Sequence, residues 1–213
     1  ELIRQGRGSE KIRVLDQYTG EVLRKITSDC DDIVKRFDTE RYSPFVSKMA
    51  TAVREVTDRG AMFMGNNYYS NLGIPCCNTP VRVNGERESQ QVYAPHAYDL
   101  MVDTPAYKYA SNSRVGMIFD QHRRTQESLN VPCLVGEWGS CAEGDGWYPH
   151  IRFLQDKFDS YKWSNTYWCY FDEILKQDFM KVLTRPRSKS VTGDIISYTD
   201  DHEDSEFKLK YKQ

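Results

Sequence analysis

Glu137 is the residue of this chain that looks most available for chemistry. It follows the apolar run 131–135 after a single glycine, and Trp138 and Gly139 come next. An apolar run of this length predicts a strand that is buried on both faces, and α/β enzymes keep their active sites at the carboxyl ends of such strands. We therefore expect the Glu137 carboxylate at the rim of a sheet or barrel. The alternative is a structural glutamate that caps the next helix or pairs with an arginine.

Three other strand-like segments also end in polar and aromatic clusters. These clusters are Asn66, Asn67, Tyr68 and Tyr69; then His96, Tyr98 and Asp99; and then Trp168, Tyr170 and Asp172. In a barrel, the strand ends converge on one face, so all four clusters, including Glu137 and Trp138, would ring one pocket. Aromatic rings stack on the apolar faces of sugars while carboxylates and amides bind hydroxyl groups, so the set predicts a carbohydrate site. Taken singly, His96 could instead be satisfied by a backbone group, and Trp168 could be a core aromatic.

Alternating strands and helices must position these clusters. The predicted strands are 61–65, 91–98, 131–138 and 165–171, and the predicted helices are 44–56, 115–129 and 150–158. Helix 44–56 has Ser43 and Pro44 as its start signal and Phe45, Val46, Met49, Val53 and Val56 at helical spacing. This alternation predicts an α/β protein with a parallel sheet and crossover helices.

Both ends of the chain differ from this pattern. Segments 11–15 and 21–26, separated by the turn 18–20, predict a hairpin or an extended excursion. Segments 194–198 and 206–211, separated by an acidic turn, predict an antiparallel hairpin.

Composition excludes several functional classes. The chain has 213 residues, 39% of them apolar, and a net charge of −2 with interspersed signs, so we expect a globular protein that does not bind nucleic acid. It lacks any stretch near the roughly 18 apolar residues of a transmembrane helix. Its six cysteines lack the C-x-x-C spacing of a zinc site, and we expect neither a metal nor another cofactor.

Three motifs together resemble a known enzyme family. Residues 93–98 (Tyr-Ala-Pro-His-Ala-Tyr), 136–139 (Gly-Glu-Trp-Gly) and 166–170 (Thr-Tyr-Trp-Cys-Tyr) resemble the sixth, seventh and eighth strands of glycoside hydrolase family 5, a retaining (β/α)8 family. The tail from residue 183 resembles the junction into the C-terminal β-sandwich of its endoglycoceramidase and glucosylceramidase branch. The resemblance runs from about residue 41 to residue 213.

This resemblance implies a role for each matched residue. Glu137 would be the catalytic nucleophile, with His96 and Tyr98 beside it and the Tyr98 phenol hydrogen-bonded to its carboxylate. Trp168 would be the platform under the sugar that is cleaved. From their place in the first strand-end cluster, we also expect Asn66 and Tyr68 to bind substrate. The implied substrate is a carbohydrate or glycolipid, with glycosphingolipids favoured. A loop containing Tyr68, Tyr69, Leu72, Ile74 and Pro75 could meet a lipid chain, or could simply pack on its own barrel.

The chain departs from the family pattern in one important respect. The family's acid–base glutamate belongs to an Asn-Glu-Pro motif, and the sequence contains no Asn-Glu dipeptide. Only four βα units precede residue 182, whereas a closed barrel has eight. The resemblance therefore implies that residues 1–181 are the C-terminal half (strands 5 to 8) of a (β/α)8 TIM barrel and that residues 182–213 begin an antiparallel β-sandwich.

Two consequences follow from the missing strands. The N-terminal half of the barrel would be a required partner, and the chain alone would be an inactive fragment of a retaining hydrolase. Secreted and membrane-associated locations both stay open. The alternatives are a non-catalytic carbohydrate-binding barrel and a related endoglucanase or mannanase.

Overall fold

The computed structural model describes residues 17–28, 31–102, 110–139, 147–201, 204 and 206–213. Its helices are α1 (Gly20–Ser28), α2 (Asp31–Phe37), α3 (Ser43–Arg54), α4 (Asn112–Leu129), α5 (Tyr148–Tyr161) and α6 (Met180–Leu183). Its strands are β1 (Met62–Met64), β2 (Arg82–Val83), β3 (Glu86–Arg87), β4 (Gln91–Tyr93), β5 (Leu134–Trp138), β6 (Ser164–Tyr167), β7 (Asp194–Asp201) and β8 (Glu206–Lys212).

Four strands run parallel in the order β1, β4, β5, β6. Met64 pairs with Tyr93, Tyr93 bridges to Cys133, and Leu134 pairs with Ser164, each in parallel register. Helices α4 and α5 make the crossovers from β4 to β5 and from β5 to β6. The predicted α/β class and the four predicted parallel strands are confirmed.

The core lies between this sheet and the two crossover helices. Helix α4 buries the predicted face, with Ile118, Phe119 and His122 each at most 1% exposed. Phe158 of α5 meets Phe119 edge-to-face with ring centroids 4.9 Å apart. A side chain of this size contributes about 1.5–3 kcal/mol when fully buried, so this layer accounts for much of the stability of the sheet.

The sheet is not closed in the described part of the chain. Within it, β1 pairs only with β4 and β6 pairs only with β5. Helix α3 confirms the predicted helix, yet Phe45, Met49 and Val53 on its apolar face are 59%, 50% and 45% exposed. The architecture is therefore that of a partial (β/α)8 barrel, with half the strands of a complete one.

Helix α3 has no separate start at Ser43. The segment Asp38–Tyr42 is π-helical and joins α2 to α3, and Tyr42 has helical dihedral angles. The Ser43 hydroxyl instead accepts a hydrogen bond from the Thr79 N–H at 3.0 Å. None of the described helices is both long enough and apolar enough to cross a bilayer.

The expectation of a strand over residues 21–26 is wrong, because these residues belong to α1. Leu23 and Thr27, four residues apart, are both buried, as the helical period requires. Gly20 begins the helix in close contact with α4: its N–H donates to the Ser113 hydroxyl at 2.8 Å, and a Cβ there would lie 2.2 Å from the Ser113 carbonyl oxygen. The other proposed strand of that hairpin, 11–15, lies outside the described residues.

The predicted C-terminal hairpin is confirmed. β7 and β8 pair antiparallel, with Tyr198 opposite Leu209. The preceding segment is fixed to α5 through Asp159, which accepts a hydrogen bond from Arg185 at 2.6 Å, and both side chains are almost fully buried. That this hairpin begins a β-sandwich domain stays a prediction.

A buried ion pair anchors the loop after β4. The Asp99 carboxylate accepts from Arg114 Nε at 2.9 Å and from the N–H groups of Met101 and Ser111 at 3.0 Å each. The Asp99 and Arg114 side chains are 0% and 2% exposed. The prediction that Asp99 faces the pocket is wrong: its buried carboxylate accepts hydrogen bonds that connect the loop after β4 to the start of α4.

We expect Arg114→Met to destabilise the protein by about 3–5 kcal/mol, because it leaves a buried carboxylate without its countercharge. Chemical denaturation of the variant measures this change. The matched control is Lys25→Met, which removes the exposed Lys25–Glu21 pair of α1 and should leave the midpoint nearly unchanged. Equal midpoints for the two variants would contradict a structural role for the Asp99–Arg114 pair.

Two buried histidines should make the stability depend on pH. His122 Nδ1 lies 2.7 Å from the Tyr93 hydroxyl, and His150 Nδ1 lies 2.7 Å from Asn112 Oδ1, both within hydrogen-bond distance. Burial lowers the pKa of His122 to about 3 and that of His150 to about 4, from 6.5 in an exposed histidine. Below that value, the unfolded chain binds protons that the folded protein excludes.

The free energy of unfolding should therefore fall as the pH drops from 6.5 toward 4, by up to about 1.4 kcal/mol per pH unit for each histidine. Urea midpoints measured across this range test it. His122→Gln should remove one histidine's share of the slope and leave the slope above pH 7 as it was. An unchanged slope at pH 4–6 would contradict the assignment.

Candidate active site

The carboxyl ends of the four parallel strands lie along one edge of the sheet. Asn66 follows β1, His96 follows β4, Glu137 lies at the end of β5, and Trp168 follows β6. Hydrogen bonds between neighbouring strands align these ends: Ala94 N–H donates to Met64 O at 2.7 Å, and Trp168 N–H donates to Trp138 O at 2.8 Å. The sequence thus positions residues that lie far apart in the chain along a single rim.

Glu137, His96 and Tyr98 form the centre of this rim. The Tyr98 hydroxyl donates to Glu137 Oε2 at 3.3 Å, and His96 Nδ1 lies 3.5 Å from the same oxygen. His96 and Glu137 are bridged directly across β4 and β5. The Glu137 side chain is 32% exposed, so it is open to a ligand. Both contacts are longer than an ideal hydrogen bond.

Gly136 provides the space for the His96 ring. A Cβ at this position would lie 2.6 Å from His96 Nε2, well inside van der Waals contact. Only glycine lets the imidazole lie across β5 and reach the Glu137 carboxylate. This role was missed from the sequence, although the Gly-Glu dipeptide was its visible sign.

Trp138 does not belong to the site. It is 1% exposed and packs edge-to-face on Phe158 and Tyr167, with ring centroids 5.3 and 5.4 Å away. Its indole N–H donates to Asn165 Oδ1 at 3.0 Å, which satisfies it in the core. The expectation that it joins the pocket is wrong because the register of β5 shifts between Val135 and Trp138 and turns Trp138 toward α5.

Trp168 and Tyr170 present open aromatic surfaces after β6. Their side chains are 53% and 76% exposed, and Gly139 closely approaches the Trp168 backbone. The Trp168–Cys169 peptide bond is cis. Trp168 is thus at the same rim as Glu137 and is not a core aromatic in the described part of the chain. An exposed indole face is the surface on which a sugar ring stacks.

The cluster after β1 divides into structural and exposed residues. Asn66 donates to Asn67 O at 2.7 Å and to Asn71 Oδ1 at 2.9 Å, so it holds its own turn. Asn67 is buried and donates to the buried Asp38 carboxylate at 2.9 Å. Tyr68 is 72% exposed and available to a ligand. Substrate binding by Asn66 and Tyr68 stays a prediction.

The described residues contain no group of three or more histidine, cysteine, aspartate or glutamate side chains that could hold a metal ion. The chemistry that they do offer is that of a carboxylate oriented by a phenol and an imidazole next to an exposed indole. Such a set can present a nucleophile to a sugar carbon.

Parallel strands joined by crossover helices, with the candidate site at their carboxyl ends, are the arrangement of a (β/α)8-type fold. The family model for cellulases (glycosyl hydrolase family 5) matches residues 30–173, and the chain belongs to this family. Curated proteins provide no match.

Solved structures agree on the fold. Endo-glycoceramidase II from Rhodococcus sp. in a ganglioside GM3 complex superposes with a TM-score of 0.65 at 16% identity, over 84% of this chain and 47% of that one. Its lactosyl-enzyme intermediate gives a TM-score of 0.64 at 16% identity, over 84% of this chain and 47% of that one. The chain therefore spans about half the length of the structures it matches.

We expect Gly136→Ala to displace the His96 ring and to lower the kcat for glycoside hydrolysis by about 10- to 100-fold, because the Glu137 carboxylate loses a neighbour that orients it. Steady-state kinetics measure this loss. Gly65→Ala is the matched control, since its Cβ would meet only ordinary contacts at 3.8 Å and beyond. Equal kcat values for the two variants would show that the ring does not depend on Gly136.

Proposed function

We propose that this chain carries the nucleophile of a retaining glycoside hydrolase that cleaves β-glycosidic bonds of glycosphingolipids. The observation that carries the proposal is the Glu137 carboxylate, with the Tyr98 hydroxyl at 3.3 Å and His96 Nδ1 at 3.5 Å on the same oxygen. Membership of glycosyl hydrolase family 5 supports it.

The geometry suits nucleophilic attack. Tyr98 and His96 both contact Oε2 of Glu137, so Oε1 is the oxygen that would attack the anomeric carbon. A hydrogen bond from the phenol stabilises the ionised carboxylate and fixes its rotation. The attack expels the leaving oxygen and gives a covalent glycosyl-enzyme, which water then hydrolyses. The lactosyl-enzyme intermediate of endo-glycoceramidase II supports this two-step course.

A second carboxyl group is needed to protonate the leaving oxygen, at about 5–5.5 Å from the nucleophile. We propose that it comes from polypeptide outside these residues, together with the strands that complete the barrel. Two observations support this proposal. In the described residues β1 and β6 each pair on one side only, and the chain covers 47% of the endo-glycoceramidase II structure. The chain alone is then inactive, and measurable turnover by the purified 213 residues would refute this part of the proposal.

Glycosphingolipid is the substrate class that the aromatic rim favours. Trp168 can stack under the sugar, while Tyr68 and Tyr69, 72% and 58% exposed, offer amphipathic surface to a lipid-linked aglycone. The ganglioside complex of endo-glycoceramidase II supports a glycolipid.

The experiment compares the complete enzyme on glucosylceramide, a ganglioside and a cellulose oligomer. We expect kcat/KM to be highest for one of the two glycolipids. Preference for the cellulose oligomer would indicate an endoglucanase or mannanase instead. Saturable binding without turnover of any of the three would indicate a non-catalytic carbohydrate-binding barrel.

We expect Glu137→Gln to lower kcat on the order of 10⁴-fold or more, because an amide cannot form the covalent intermediate. Initial rates on the preferred glycoside measure it. Glu173→Gln is the matched control: it makes the same change in an exposed glutamate that pairs with Lys176, and its rate should equal the parent rate. Retention of more than about one tenth of the rate in Glu137→Gln would rule out its role as nucleophile.

A further inference from the structure

Strand β5 contains one residue more than either neighbouring strand at the place where Glu137 lies. On the β6 side, Val135 pairs with Asn165 and Trp138 pairs with Tyr167, so three steps along β5 match two along β6. On the β4 side, Gly136 N–H donates to Pro95 O at 2.9 Å while Glu137 O accepts from Ala97 N–H at 3.2 Å. Two consecutive residues therefore face the single residue His96, which defines a β-bulge.

This bulge decides which side chain reaches the site. Strict alternation along a strand would place Glu137 on the same face as Val135, which is 0% exposed in the core. It would also turn Trp138 to the open face. The extra residue reverses both outcomes: Val135 and Trp138 share the core face, and Glu137 meets His96. A bulge commonly re-aims a side chain next to an active site in this way.

Thr166 of β6 is the side chain that holds the bulge. Its hydroxyl donates to the Gly136 carbonyl oxygen at 2.6 Å and lies 3.3 Å from the Val135 carbonyl oxygen. These are the two peptide groups that immediately precede Glu137. The flanking backbone bonds, from Ser164 N to Cys133 O at 3.2 Å and from Trp168 N to Trp138 O at 2.8 Å, fix β6 on either side of Thr166. As a β-branched residue, threonine has few χ1 choices, so its hydroxyl is held in place.

We propose that Thr166 is a positioning residue for the nucleophile. Its hydroxyl fixes the Gly136 carbonyl, and the Gly136 peptide in turn sets the direction of the Glu137 side chain. This inference rests on the proposed function, since it assumes that Glu137 attacks the sugar. Thr166 acts through the backbone of β5, so its loss should slow the chemical step and leave the affinity for substrate largely unchanged.

The test uses Thr166→Val in the complete enzyme, which keeps the branched shape and removes the hydroxyl. We expect kcat to fall about 10- to 100-fold with little change in KM, because a shift of about 1 Å in a reacting group costs this much. Thr166→Ser should restore kcat to within about threefold of the parent, because it returns the donor. The matched control is Ser164→Ala, two residues earlier on the same face of β6, which should behave as the parent.

Two kinetic results would overturn the proposal. One is a folded Thr166→Val enzyme with parental kcat, and the other is a Thr166→Ser enzyme as slow as Thr166→Val. Near-ultraviolet circular dichroism and the thermal midpoint check folding, and Thr166→Ala replaces Thr166→Val in the comparison if valine prevents folding.

If the complete enzyme hydrolyses no β-glycoside, the proposed function is refuted, but the claim that Thr166 fixes the position of the Glu137 carboxylate can still be tested. In that case, crystal structures of the parent enzyme and of the variants show whether Thr166 fixes the position of Glu137. The Glu137 carboxylate should move by about 1 Å away from His96 and Tyr98 in Thr166→Val and should stay in place in Ser164→Ala. An unmoved carboxylate in Thr166→Val would overturn the role without any assay of activity.

Discussion

The insertion of one residue into β5 links the packing of the core to the chemistry of the site. Because side chains alternate along a strand, Glu137 and Trp138 must face opposite sides, and a shift of one position exchanges them. Burial of the indole against Phe158 and Tyr167 therefore forces the carboxylate toward His96. Gly136 leaves space for the His96 ring. The packing of Trp138 in the core and the exposure of Glu137 at the rim therefore depend on the same bulge.

The open sheet explains the pattern of exposed apolar residues. In a closed barrel, each strand pairs on both sides and the helices cover its outer face. Here Phe45 and Met49 of α3 and Phe63 of β1 are all at least half exposed, and within the described residues β1 pairs only with β4. A further βα unit packed beside them would bury side chains of this kind. In the proposed enzyme, the strands that close the barrel would also supply the second carboxyl group that retaining hydrolysis needs.

Local periodicity predicted most of the elements, because α4 and α5 each bury a regular face and α3 carries its apolar residues at helical spacing even though that face is exposed. It failed where a contact between distant residues decides the outcome. The β5 bulge depends on the partner strands on both sides and has no signature in its own alternation. Asp99 and Asn67 resemble site residues in sequence, yet they bind Arg114 and Asp38, which lie 15 and 29 positions away. Residues 21–26 are too few to separate strand from helix before Leu23 and Thr27 are seen to pack.

Covalent trapping tests the central claim, that Glu137 is the nucleophile of a retaining hydrolase, most directly. The complete enzyme would be inactivated with a 2-deoxy-2-fluoro glycoside bearing an activated leaving group, digested, and analysed by tandem mass spectrometry. The account predicts one added sugar per enzyme, attached to the Glu137 side chain and absent from a Glu137→Gln enzyme treated in the same way. Attachment to another carboxylate, or turnover of the preferred glycolipid with no adduct at all, would contradict it.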